Sequence, residues 1–115
     1  MSEARDAGHN VWSECAFEHA AEHHPEWLLR LIRSGELPAA DLTFAAEYVG
    51  RVTLHAEARA ALLPLLEHED AVVREGAVYG LRGHMDLAVW DALARVAQQD
   101  PSAAVRSVAR DALAK

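Results

Sequence analysis

The chain has 115 residues, 51% of them hydrophobic and 25% charged, with a formal net charge of −7, which is the size of one domain and the composition of a folded one. No apolar run approaches the ~18 residues of a membrane span, and a single cysteine excludes a disulfide framework. The polar start MSEARDAGHN holds no apolar stretch of a secretory signal, so the reading is a cytoplasmic protein.

The charge is uneven. Residues 1–57 hold four arginines against ten carboxylates, whereas residues 58–115 hold six arginines and one lysine against eight. Nucleic-acid binding draws most of its affinity from clustered cations, and no such cluster occurs, so nucleic acid is not an expected partner. An acidic first half steers basic partners instead.

Glycine and proline punctuate the chain, and the stretches between them have helical period throughout. Residues 1–10 are expected to fray. A first helix runs from an Asn10 cap to about His23. Pro25 opens a second, since its missing N–H is harmless in the first turn; its apolar stripe is Trp27, Leu28, Leu31 and Ile32, and it stops near Ser34-Gly35. A third runs from Pro38 to about Gly50 with Leu42, Ala45, Ala46 and Val49 inward. Thr53 caps a fourth, kinked at Pro64 and ending near His68. Asp70 starts a fifth, which ends at Gly83. Asp86 or His84 caps a sixth, with Leu87, Trp90, Leu93 and Val96 as its stripe. Asp100-Pro101 is an Asp cap followed by proline at the first helical position, and opens the last. Seven helices with short joints make an all-α chain.

The segment Ala71-Val72-Val73-Arg74-Glu75-Gly76-Ala77 recurs 32 residues later as Ala103-Ala104-Val105-Arg106-Ser107-Val108-Ala109, with valine, arginine and alanine in register. Leu42 and Ala46 lie 31 residues before Val73 and Ala77, a fainter copy in which Thr43 replaces the arginine. The pattern D-P-x-x-x-V-R-x-x-A-x-x-A-L, from Asp100 to Leu113, resembles the first helix of a HEAT repeat, in the short form found in bacterial HEAT-like and bilin-lyase-type proteins. The resemblance implies a right-handed α-solenoid (an α-α superhelix) of antiparallel helix pairs sharing one continuous core. It implies one domain over 11–115: a capping helix at 11–24 and repeats at about 25–52, 53–83 and 84–115. Arg74 and Arg106 resemble the family's ladder arginines, so Asp100 is expected to accept from one of them. His68 stands where an aspartate is usual, which weakens the same contact one repeat earlier. Some HEAT-like enzymes carry His-Glu dyads for di-iron just after the V-R; here those positions hold Glu75-Gly76 and Ser107-Val108, so the resemblance does not imply that chemistry.

Cys15, His19 and His23 are spaced i, i+4, i+8 and share one helix face, which is zinc-ligand spacing. Two turns span about 12 Å, too far for one ion to take all three, so a pair plus ligands such as His24 or His55 is the workable version. The competing reading packs Cys15 with Trp12 and Ala16 as a small hydrophobe. Glu14, Glu18 and Glu22 form a carboxylate stripe with no cation in the same helix; it reads as the solvated cap of a repeat stack or as a ridge facing a partner. Trp27 and Trp90, with Arg30, Arg59 and Arg95, lie on the helices at 25–34, 54–67 and 86–98 that line the concave surface of such stacks, and they are the candidate binding anchors. No phosphate loop, nucleophile elbow or C-x-x-C occurs. The functional reading is a non-catalytic scaffold or adaptor that binds a protein, possibly basic, through the concave face or the acidic N-terminal end. It has no expected cofactor and no membrane partner. The alternative is a small metal-dependent or lyase-like enzyme using the histidine-rich first half.

Overall fold

Helix boundaries follow local chemistry at most joints. In the computed structural model, which describes residues 15–114, helix α1 covers 15–23 and α2 covers Pro25–Ser34. Pro25 begins α2, and Gly35 ends it at φ 75°, a left-handed conformation that glycine reaches without a Cβ penalty. Helix α3 (Ala39–Tyr48) tightens into a 3₁₀ turn at Val49–Arg51. Helix α4 (His55–Leu62) gives way to a 3₁₀ segment at Leu63–Glu67. Helices α5 (Ala71–Leu81), α6 (Leu87–Gln99) and α7 (Ala103–Leu113) complete the order.

Three boundaries differ from the sequence expectation, and a fourth is settled between its two expected caps. Pro64 does not kink a continuous helix; lacking an N–H, it ends α4 two residues earlier and starts the 3₁₀ segment. Thr53 is not the cap of α4, which begins after Leu54 without a side-chain cap bond. His84 is buried in the α5–α6 turn, and Asp86 caps α6, its Oδ1 accepting from the Val89 amide at 2.8 Å. Asp100 is displaced as a cap by its other duties: its carboxylate accepts from Arg74 and from the Ser102 amide, so α7 starts two residues late with Ser102 as cap. Asp70 caps α5 as expected, accepting from the Val72 amide.

The helices form two layers. Helix α5 lies between α3 and α7 in one; α2, α4 with its 3₁₀ segment, and α6 follow each other in the second. The core between them is built from Leu28 and Ile32, Leu42 and Val49, Ala58 and Leu62, Val73 and Leu81, Val89 and Leu93, all of them buried. The repeated positions Val73, Ala77, Val105 and Ala109 are fully buried, which explains why the motif recurs. Thr43, standing where the later copies have arginine, donates its hydroxyl to the Val72 carbonyl at 2.8 Å.

The crossing of α3 and α5 is unusually close. A Cβ at Gly76 would lie 2.6 Å from the Thr43 carbonyl oxygen, and one at Gly80 would overlap the Ala46 carbonyl. Without those side chains the two backbones meet directly. The α7 residues in the same register, 32 positions on, are Val108 and Ala112, which carry side chains where α5 has glycine.

Two apolar stripes are rotated from expectation. In α2 the buried set is Leu28, Leu29 and Ile32, while Trp27 is 46% exposed. In α6 it is Val89, Ala92, Leu93 and Ala97, while Leu87 is 84% and Trp90 46% exposed. Small and branched residues let α6 pack along α7, and the bulky ones turn outward.

Candidate binding groove and its polar frame

The second layer carries a groove of about 730 Å³ where the 3₁₀ segment meets α6. Leu63, Leu66, Ala92 and Val96 supply its apolar lining, Glu67 stands on the 3₁₀ side and Arg95 on the α6 side. Neither charge forms an ion pair with another described residue. An apolar trough with one unpaired charge of each sign offers burial together with polar orientation, which is what a bound peptide segment requires.

The frame beneath the groove is a buried ion pair. Arg74 Nε donates to Asp100 Oδ2 at 2.9 Å, and Nη2 donates to Oδ1 at 3.2 Å. The Arg74 Nη1 group donates to the carbonyls of His68 and Glu69. Arg106 repeats the local bond one motif later, donating to the Asp100 carbonyl at 2.6 Å. Asp100 lines one end of the groove, so this pair holds the α6–α7 joint to the foot of α5. Its side chains are only 11% and 4% exposed, and such burial is tolerable because nearly every donor and lone pair is used.

A second polar tie crosses between α4 and the α5–α6 turn. Arg59 Nε pairs with Asp86 at 3.0 Å, and Nη1 donates to the His84 carbonyl at 3.3 Å. The His84 ring is 1% exposed. Its Nε2 lies 2.7 Å from the Val49 carbonyl, which can only accept, so Nε2 carries the proton. Its Nδ1 is then bare and accepts from Nδ1–H of His55 at 2.8 Å. Burial pushes the His84 pKa below the usual imidazole value; the Val49 bond opposes this, and the charges of His55 and Arg59 add to it. This interlock was missed from sequence because His55 and His84 lie 29 residues apart. The only local sign was a histidine directly after Gly83.

The residues expected to form one binding surface are spread over several. Arg95 lines the groove. Trp90 faces a different hollow of about 450 Å³ with Arg82, Met85 and Ala112. Trp27 and Arg30 are exposed on α2, and Arg59 is engaged with Asp86. On α1, Glu18 pairs with Arg51 at 2.7 Å, so the carboxylate stripe has a cation from the 3₁₀ turn; Glu22 is exposed, and Glu14 lies outside the described residues. Cys15 is exposed and free rather than packed inward; Phe17, Ala20 and Ala21 form the buried face of α1. The rings of His19 and His23 lie 4.6 Å apart, and His24 is 5.7 Å from His19. Among the described residues no three His, Cys, Asp or Glu side chains converge as metal ligands. No helix among them is long and apolar enough to cross a membrane.

Paired helices in two layers, a repeated V-R-x-x-A motif and an arginine–aspartate tie at a repeat joint define an α-helical repeat stack. The family model for HEAT repeats matches residues 24–114, and the chain belongs to that family. Comparison with curated proteins and with solved structures gave no match.

Proposed function

We propose that the protein is a non-catalytic interaction module that seats a segment of a protein partner in the groove between the 3₁₀ segment and α6. The observation that carries this reading is the groove's composition: an apolar lining of Leu63, Leu66, Ala92 and Val96 beside the unpaired charges of Glu67 and Arg95. Membership in a family whose repeats commonly bind proteins supports it, and the net charge of −7 favours a basic partner through long-range attraction. Trp27 and Arg30 on the neighbouring α2 extend the same layer.

A photo-crosslinking residue at Gln99, on the groove wall, should trap a defined partner from native extract. The same residue at exposed Ala40 of α3, in the opposite layer, should not. Arg95→Glu should weaken capture by about tenfold or more with no change in thermal stability. Equal capture from both positions, or capture unaffected by Arg95→Glu, would show that the groove is not the site.

A further inference from the structure

The end of the stack formed by α5, α6 and α7 presents apolar surface that the groove does not use. Leu87 is 84% exposed, Trp90 46%, and Met85 38%. Met85 and Trp90 line a hollow of about 450 Å³ together with Arg82, Gly83 and Ala112. Leu87 and Trp90 are three residues apart on α6 and therefore neighbours on its surface. A projecting side chain and a cavity thus stand next to one another on the same patch. A two-fold interface needs that arrangement, since each copy must offer both the knob and the hole.

The charges fit the same occupant. The adjoining hollow of about 260 Å³ is lined by Arg82 and Asp111, one of each sign, and neither forms an ion pair with another described residue. Among the described residues, 15–57 hold seven carboxylates against three arginines, and 58–114 hold eight against six. Two copies that approach by this end keep the more acidic of these segments away from the contact.

We propose that this end is a homodimerisation surface, with Leu87 of each copy entering the second copy's hollow beside Trp90 and Arg82 facing Asp111 across the two-fold axis. The groove lies on other residues of α6, at Ala88, Ala92 and Arg95, and is not consumed by the contact.

Sedimentation velocity of the full chain, up to about 0.5 mM, tests this, with a concentration-dependent shift from monomer to dimer as the expected result. Leu87→Glu should weaken association at least about tenfold. It should not impair folding, because Leu87 is the exposed first residue of α6, where a carboxylate favours the helix. Trp90→Glu should act likewise, and Trp27→Glu, equally exposed at 46% on α2, should leave the dimer intact. A wild-type protein that stays monomeric throughout overturns the proposal. So does a dimer indifferent to Leu87→Glu, or one weakened equally by Trp27→Glu.

Discussion

Asp100 and Asp86 provide a matched pair for measuring what burial adds to an ion pair. Each carboxylate meets one arginine and accepts from one backbone amide at the start of α7 or α6. They differ chiefly in exposure: the Asp100 side chain is 4% exposed and the Asp86 side chain 39%. Removing Asp86 therefore costs about 1 kcal/mol for the cap and at most about another 1 for a solvent-screened pair. Removing Asp100 takes two charge-assisted bonds from a guanidinium that remains buried. That sacrifice amounts to about 3–5 kcal/mol. Urea denaturation of the Asp86→Ala and Asp100→Ala variants, analysed as two-state transitions, should give a midpoint loss two- to threefold larger for Asp100 (roughly the ratio of those estimates) at unchanged slope. Replacing both members of the buried pair, Arg74→Met with Asp100→Leu, should recover much of the loss, because no uncompensated charge is left. Equal losses for the two single variants would refute the argument that burial sets the difference.

Gly80→Ala should destabilise the protein by about 1–3 kcal/mol through overpacking against Ala46, opposite in sign to the ~1 kcal/mol that alanine gains in an open helix; a higher melting temperature would contradict the close crossing. Because the folded-state pKa of His84 is depressed, the unfolded chain takes up a proton first as pH falls. Stability should then be full above about pH 6.5, the unfolded histidine value, and decline below it. His84→Gln should flatten that slope at lower overall stability, and urea midpoints from pH 7.5 to 5 would reveal it. Arg59→Met should loosen the α5–α6 turn, read as faster amide exchange at Leu87–Trp90 than in wild type.

Much of this architecture was readable beforehand, for physical reasons that differ by element. The inward set Leu42, Ala45, Ala46 and Val49 was legible from its i, i+3, i+4, i+7 spacing, although α3 also buries Asp41 and Thr43. In α6 two stripes compete, and hydrophobicity alone ranks Leu87 and Trp90 above Val89 and Ala92. Which stripe faces inward depends on how closely α7 must approach, and no local pattern records that. The Asp100 tie to arginine was legible through the family motif, but its effect on the start of α7 was not. A carboxylate already holding a guanidinium still turns the chain at Ser102, and the helix begins later. The tie of Arg59 to Asp86 was not legible, because no local pattern links two side chains 27 positions apart. The groove could not be read at all, since it arises from the broken helix at Pro64 and the packing of α6 against it.

The close seam between α3 and α5 gives the stack two kinds of joint. There the chains touch backbone to backbone, with glycine removing the side chains that would otherwise slide or repack. The next joint outward, which attaches the α6–α7 hairpin, shares the apolar core and adds polar ties to it: Arg74–Asp100, Arg59–Asp86 and the two histidines. Salt reaches the partly exposed Arg59–Asp86 pair more than the buried Arg74–Asp100 pair, and acid reaches the histidines, while carbonyl–glycine contacts respond to neither. The groove lies beside the joint that carries these solvent-responsive ties.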